Sequence, residues 1–373
     1  MEDVVTGEGI PSIGTLSRFR GKRIFLTGDT GFKGSWLALW LTELGAQVSG
    51  YALPPDGPNS HFEILGLSKI IHHVDGDIRD FNGLYAAMAK AKPEFVFHLA
   101  AQALVRRSYA DPMTTFSTNV LGSVHVLEAV RHVDSVQSLV YVTSDKCYWN
   151  KEWSWSYRET DELGGHDPYS GSKAAAENVF RAYYHSYLSQ QPGLGSATVR
   201  AGNVVGGGDT SPDRLVPDCI RALSKGEPIV LRNPAATRPW QFVLEPLGGY
   251  LLLALKLRKA PARFAGSWNF GPRSNVTRTV DEIAKRIVER WGGGDIRYDI
   301  PTGHTQREAT LLQLSIDKVC HEIGWRPVYN VEECIDETVS WYRRVHEGGS
   351  VGDLSRLQIK AFMEAAARRA GSG

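Results

Sequence analysis

Short apolar runs alternate with segments of helical spacing along the first half of the chain. Arg23-Ile24-Phe25-Leu26-Thr27, Gln47-Val48-Ser49-Gly50-Tyr51, Phe95-Val96-Phe97-His98-Leu99, Leu139-Val140-Tyr141-Val142-Thr143 and Ala197-Thr198-Val199-Arg200 read as strands. Their apolar character fits strands buried on both faces, as in a parallel sheet covered by helices. Between them, Ser35 to Leu44 (ended by Gly45), Asn119 to Arg131 and the segment opening at Tyr169 carry helical patterns. This alternation predicts an α/β fold built on a doubly wound parallel sheet. Beyond Arg200 the pattern changes. A loop, Gly206-Gly207-Gly208-Asp209, precedes a short helix that ends near Gly226 and a strand-like Pro228-Ile229-Val230-Leu231. Trp268-Asn269-Phe270-Gly271-Pro272 is expected to close a smaller domain, and Asp281 to Trp291 is an amphipathic helix.

The first strand runs into Gly28-Asp29-Thr30-Gly31-Phe32-Lys33-Gly34 and then a helix, which makes the sheet Rossmann-type. Gly28 permits a tight turn, Gly31 lets the backbone approach a pyrophosphate, and Gly34 lets helix and strand pack closely. The phosphates would meet free N–H groups at the helix N-terminus. Asp29 places a negative charge inside that loop, an unfavourable sign beside a pyrophosphate. The second strand ends at Ala52-Leu53-Pro54-Pro55 with neither a carboxylate for ribose hydroxyls nor an Arg for a 2′-phosphate, so this stretch leaves NAD and NADP both open. Asp77 can accept from an adenine amino group or serve as a cap or turn residue. Ala100 and Ala101 leave room for a flat ring at a strand end.

Composition narrows the partners. The 373 residues are 42% hydrophobic and 22% charged with net charge +1, which suits a soluble globular protein and favours neither nucleic acid nor a membrane surface. The apolar run Tyr250 to Leu255 is far too short to span a bilayer, and the N-terminus has no signal-peptide pattern. Cys147, Cys219, Cys320 and Cys334 are scattered without metal-ligand spacing, as expected of reduced thiols in a cytoplasmic protein.

The chemistry gathers at Ser144-Asp145-Lys146, just past the strand ending at Thr143, with Tyr169 and Lys173 downstream. Ligands of open parallel sheets bind beyond the carboxyl ends of the strands. Tyr169 and Lys173, four apart, share a helix face, and an ammonium beside a phenol favours the phenolate, a base for an alcohol proton. Tyr-x-x-x-Lys alone is more often a surface pair; the upstream dinucleotide loop is what lifts it.

Thr27-Gly28-x-x-Gly31-Phe32-x-Gly34, His98-Leu99-Ala100-Ala101, Ser144-Asp145 and Tyr169-x-x-x-Lys173 together resemble the extended short-chain dehydrogenase/reductase superfamily, and within it the nucleotide-sugar 4,6-dehydratases. Gly31 to Trp36, Thr143 to Tyr148, Val199 to Asp209 and Arg238 to Leu247 carry the finer likeness, to the branch that acts on CDP-glucose. The resemblance spans about Gly21 to Tyr342. It implies a lyase with NAD recycled internally, in which Tyr169 takes the sugar 4-hydroxyl proton, Ser144 bonds the 4-oxygen, and protonated Asp145 donates to the departing 6-hydroxyl. Many relatives carry Asp-Glu with Glu as the C5 base; here Lys146 follows Asp145, either as that base, as an enolate stabiliser, or as an ion-pair partner of Asp145.

The resemblance further implies that Gly28, Thr30, Gly31, Phe32, Gly34, Asp77, Ile78, Leu99, Ala100, Ala101, Asn119, Tyr169 and Lys173 hold the cofactor. Asn119 would support the lysine. Gln102, Ser144, Asn203, Arg214, Val216, Arg238 and Arg307 would hold the nucleotide sugar, with arginines suited to its diphosphate. Without the likeness each Arg reads as a surface ion pair. The expected organisation is a dinucleotide-binding domain at 18–202 with a return segment at about 236–267, a substrate domain at 203–235 and 268–345, and flexible or peripheral ends at 1–17 and 346–373. The likeness also implies a homo-oligomer, dimer or tetramer, and a product feeding deoxysugars for lipopolysaccharide. The aromatic stretch Tyr148 to Tyr157 is too apolar for a free loop and either covers the site, meets another subunit or simply packs. An epimerase or 4-ketoreductase would need Tyr169 and Lys173 but no acid for C6, so Asp145 discriminates. A non-catalytic dinucleotide-binding regulator would show a broken pair or a blocked site.

Overall fold

The computed structural model describes residues 9–273, 278–300 and 311–370. Seven parallel strands form the main sheet: β1 (Arg23–Thr27), β2 (Gln47–Ala52), β3 (His72–Asp75), β4 (Phe95–His98), β5 (Ser138–Val142), β6 (Gly195–Ala201) and β7 (Gly266–Phe270). Their order across the sheet is 7-6-5-4-1-2-3. The order reverses between β1 and β4, which opens a crevice beyond their carboxyl ends, where ligands of such sheets bind. The principal helices are α1 (Phe32–Glu43), α2 (Phe81–Ala91), α3 (Ser123–Arg131), α4 (Pro168–Ser186), α5 (Leu215–Ser224), α6 (Leu244–Lys259), α7 (Val280–Trp291), α8 (Val331–His346) and α9 (Val351–Ala370).

Helix α1 shows why the first unit packs as it does. Trp36, Leu37, Leu39, Trp40 and Leu41 are all fully buried, so the helix is apolar around its whole circumference. Such a helix needs cover on both sides. The sheet supplies one, and α9 the other: the Phe362 ring meets Trp40 edge-on at 5.8 Å.

Two expectations change here. The stretch after 346 was expected to be a flexible or peripheral end, yet α9 packs Leu354, Ile359, Phe362 and Met363 into the core because α1 exposes an apolar face there. Leu16 is likewise buried at the other end. The Trp268–Phe270 strand was expected to close a smaller domain; instead β7 is an edge strand of the main sheet, with Trp268 beside Val199 and Phe270 beside Ala201. The second half contributes three two-stranded pairs: 204–205 with 241–242, 229–231 with 296–298, and 237–238 with 278–279. These lie around α5, α7 and α8. Among the described residues no helix is long and apolar enough to cross a membrane.

Candidate active site

The glycine loop follows β1 at the crevice. Gly28 has a left-handed φ of 79°, and a Cβ on it would lie 2.7 Å from the Ala100 nitrogen. A Cβ on Gly34 would lie 1.9 Å from the Gly28 carbonyl oxygen, so helix and loop touch through bare backbone. Gly31 caps α1 without any side-chain hydrogen bond to its first N–H groups and is exposed. An uncapped helix start behind an open glycine is a cradle for phosphate, and these residues fit the dinucleotide expected there. Around it, Thr30 Oγ1 donates to the Leu53 carbonyl, the Leu99 N–H to the Thr27 carbonyl, and the Ala100 N–H to Thr27 Oγ1. Asp77 is a turn residue, not a cap: its carboxylate accepts from the Arg79 N–H and guanidinium, while Asp80 caps α2. That pairing holds the Asp77 carboxyl below its usual range. Ile78 is buried against Gly122.

Asp29 does not face the helix start. It is fully buried, accepts from His73 Nδ1 at 2.6 Å, and occupies space where Gly50 has no side chain: a Cβ there would sit 2.1 Å from its Oδ2. The Asp29 carboxylate raises the His73 pKa, and the charge expected to oppose a pyrophosphate is answered within the sheet.

Past β5, Ser144 to Cys147 make one tight turn. Ser144 Oγ donates to Asp145 Oδ1 at 2.9 Å and accepts from the Lys146 N–H at 3.2 Å. Ser144, Asp145, Tyr169 and Lys173 are all buried. Burial pushes the Asp145 carboxyl up, against the pull of Lys146, Ser144 and Arg238. That is the direction required of a carboxylic acid that holds a proton to donate. Burial also brings the Lys173 pKa down to about 8.

Tyr169 differs from expectation. Burial outweighs the neighbouring Ser144 hydroxyl and Arg214, and its phenol is pushed up to about 12, so the lowering anticipated from Lys173 does not emerge. Helix α4 supports this pair from below. Glu177, one turn past Lys173, forms a fully buried ion pair with Arg200 at 2.7 Å, and Arg200 also donates to the Tyr148 hydroxyl at 2.6 Å. The turn bearing Asp145 and Lys146 is thereby tied to β6.

Asn119 sits in a π-helical turn, Ser117–Gly122, of the kind often found at functional sites. Its amide accepts from the Gln102 N–H and donates to the Gln102 carbonyl and to Ser172 Oγ, the neighbour of Lys173. Gln102 is a correction. Its side chain donates to Leu104 and Thr115 and accepts from the Leu104 N–H, so both ends of the amide serve its own loop rather than facing a substrate.

Arg214 pairs with the buried Asp209 at 2.7 Å and caps α5 without a side-chain bond, which leaves the N–H of Val216 at the start of that helix. The Val216 side chain itself is in the core. Arg238 donates to the Thr237 carbonyl and acts on Asp145 through space. Asn203 offers its carbonyl to Gln241 at the floor of the same loop. Arg307 and its neighbours His304 to Glu308 lie outside the described residues. Of the aromatic stretch, Tyr148 and Tyr157 pack with Leu312 and Leu314, while Trp155 stays exposed.

One residue was not assigned a role from sequence. Lys33, in the first turn of α1, lies over the Tyr250 ring at 5.7 Å, and burial, Lys173 and Arg214 together bring its pKa down to about 8, with Asp145 pulling the other way. A lysine at the positive end of a helix is electrostatically disfavoured, and that mismatch is the signal that could have marked it.

The comparisons agree with this geometry. A family model described as GDP-mannose 4,6 dehydratase matches residues 25–338. A CDP-glucose 4,6-dehydratase from Salmonella typhimurium is 46% identical over 354 residues, covering 94% of this chain and 98% of that protein. A dTDP-glucose 4,6-dehydratase from Xanthomonas campestris is 29% identical, covering 85% and 92%. Among solved structures, a Thermus thermophilus UDP-glucose 4-epimerase in complex with NAD is 26% identical with a TM-score of 0.73, covering 86% of this chain and 99% of that one. With the Ser144 turn, the Tyr169–Lys173 pair and a family match across most of its length, the chain belongs to the GDP-mannose 4,6 dehydratase family, the nucleotide-sugar 4,6-dehydratases of the extended short-chain dehydrogenase/reductase superfamily.

Proposed function

We propose that this chain converts CDP-glucose to CDP-4-keto-6-deoxyglucose and water. The observation that carries the reading is the buried turn in which Ser144 holds an Asp145 carboxyl whose pKa is raised, beside Tyr169 and Lys173. An epimerase or ketoreductase has no use for such an acid. The 46% identity to a CDP-glucose 4,6-dehydratase supports the choice of nucleotide.

NAD, when bound, supplies a hydride acceptor that returns the same hydride, so no net redox change occurs; the uncapped start of α1 with Gly28, Thr30, Gly31, Phe32 and Gly34, the β3 end at Asp77 and Ile78, and Leu99 to Ala101 would hold it. Tyr169 takes the proton of the sugar 4-hydroxyl, with Ser144 bonded to that oxygen and Lys173 beneath. The resulting 4-ketone acidifies C5–H. Lys146 takes the C5 proton, and Asp145 gives its own proton to the departing 6-hydroxyl, which leaves as water; once C6 has regained the hydride, Lys146 returns the proton to C5. Arg214, the N–H of Val216, Asn203 and Arg238 hold the nucleotide diphosphate, with Arg307 as a further arginine of that set. The main sheet with α1 to α4 forms the dinucleotide domain and the 203–235 and 278–345 segments the substrate domain. Tyr109, Met113, Phe116 and Leu121, all exposed, are the apolar side chains for a second copy in the cytoplasm to cover.

Purified protein incubated with CDP-glucose, with and without added NAD, tests this by mass spectrometry. A product lighter by one water, with no net accumulation of reduced cofactor, is expected. Unchanged mass refutes the reading and sends the search to other sugar nucleotides or to epimerisation.

A further inference from the structure

A chain of buried polar groups, away from the reacting residues, joins the cofactor loop to the C-terminal helices. Ser35 Oγ lies 2.9 Å from the Phe32 carbonyl oxygen and 2.8 Å from His61 Nδ1. His61 Nε2 lies 3.3 Å from Ser355 Oγ, which accepts from Trp341 Nε1 at 3.0 Å. Ser35 and Ser355 are fully buried, His61 is 2% exposed and Trp341 3%. A carbonyl only accepts, so Ser35 spends its one proton on Phe32 and must accept from His61 Nδ1, and that fixes the direction of the chain. Ser355 accepts from Trp341 and gives its own proton to Nε2. His61 therefore carries its proton on Nδ1 and donates to Ser35, whose hydroxyl donates to Phe32. Burial holds the His61 pKa down to about 3, so the neutral ring persists.

The same ring is a packing hub. Trp36 of α1 stacks on it at 5.0 Å and Trp341 of α8 meets it edge-on at 5.8 Å. A Cβ on Gly208 would fall 2.4 Å from it. The neighbouring Gly207 carbonyl accepts from Trp36 Nε1 at 2.8 Å, and the Asp209 carbonyl from the Tyr342 hydroxyl at 2.7 Å. Asp209 is the carboxylate that holds Arg214. One cluster thus touches the start of α1, the loop that sets Arg214, and both C-terminal helices. Ser355 lies beyond residues 25–338, the span matched by the family model.

We propose that His61 and Ser355 are positioning residues that hold the dinucleotide loop and the Arg214 loop in one fixed relation, which makes the helix Val351–Ala370 a working part of the site. The choice of ligands below rests on the nucleotide-sugar reading; the geometric claim does not. Ser355→Ala leaves the Trp341 N–H and His61 Nε2 unpaired in a dry interior. Hydrogen exchange of the ligand-free protein, read by mass spectrometry, is expected to quicken severalfold in peptides spanning 28–36 and 206–214 together, while 81–91 is unchanged. With ligands, the KM for CDP-glucose and the Kd for NAD are expected to rise about threefold to tenfold with kcat within about twofold. Ser355→Thr, which keeps the hydroxyl, should restore all three. His61→Asn, whose amide reaches only toward Ser35, should match Ser355→Ala. A lower melting temperature with exchange in both loops unchanged overturns the proposal whatever the substrate is. Wild-type protein that does not turn over CDP-glucose condemns the substrate reading instead, and the exchange result still decides this one.

Discussion

Asparagine in place of Asp145 changes one ionisable proton and almost no volume. Ser144 Oγ now donates to Asp145 Oδ1 at 2.9 Å, and an amide oxygen at the same place would keep that bond, so the turn should survive. What is lost is the acid. A positioned general acid is worth about 10²–10⁴ in rate, or about 2.7–5.4 kcal/mol at about 1.36 kcal/mol per decade. Tyr169, Ser144 and Lys173, which serve the earlier oxidation at C4, are untouched. Rapid mixing of Asp145→Asn with CDP-glucose and NAD, followed by reduced-nicotinamide absorbance and by product mass, separates the two steps. Reduced cofactor should accumulate toward the concentration of sites while loss of water slows by about 10²–10⁴. Water loss at the wild-type rate would remove Asp145 from the mechanism. Failure to reduce the cofactor at all would mean that the carboxylate shapes the turn for the first step rather than serving the second.

The remaining expectations concern what holds the site. Arg200→Met leaves the fully buried Glu177 carboxylate without its partner, so unfolding free energy from urea melts should fall by about 3–5 kcal/mol, and Arg200→Met/Glu177→Leu should recover most of it; an unchanged midpoint in the single variant sinks that account. Lys173 has a pKa of about 8 in the fold against about 10.4 unfolded, so between these values the unfolded chain binds more protons and stability should climb with pH through this group. Lys173→Met should flatten that slope and abolish turnover; a slope identical to wild type refutes the assignment. Gly50→Ala puts a methyl 2.1 Å from Asp29 Oδ2, an overpacking that should cost about 1–3 kcal/mol and weaken NAD binding by displacing the loop; wild-type melting and NAD titration together would refute it.

Five strands of the sheet were legible because they are largely apolar and alternate with helical spacing, whereas β3, His72–Asp75, is polar and partly exposed and was not read as a strand. The misplacements share a cause. Trp268 and Phe270 announce a buried strand, yet nothing local says which sheet it joins; that is decided by the partner strand β6. The stripe Leu354, Ile359, Phe362 and Met363 in α9 has meaning only once Trp40 presents a face to cover. Gln102 was placed by the family likeness and Asp29 by its charge, and both turn to local partners, Leu104 with Thr115 and His73. The set proposed as catalytic drew notice for the opposite reason: Ser144, Asp145, Tyr169 and Lys173 stand at strand and helix ends, where ligands of such sheets bind.

Burial is the largest cause of every shift in that set, and it moves acid and base toward each other. It raises the Asp145 carboxyl and brings Lys173 and Lys33 down to about 8. Tyr169 stands apart at about 12, with Ser144 and Arg214 already pulling it down. Burial therefore outweighs both neighbours, and one of them, Arg214, is set by the loop that the buried cluster at His61 clasps, so a change in that cluster is expected to reach Tyr169 through Arg214.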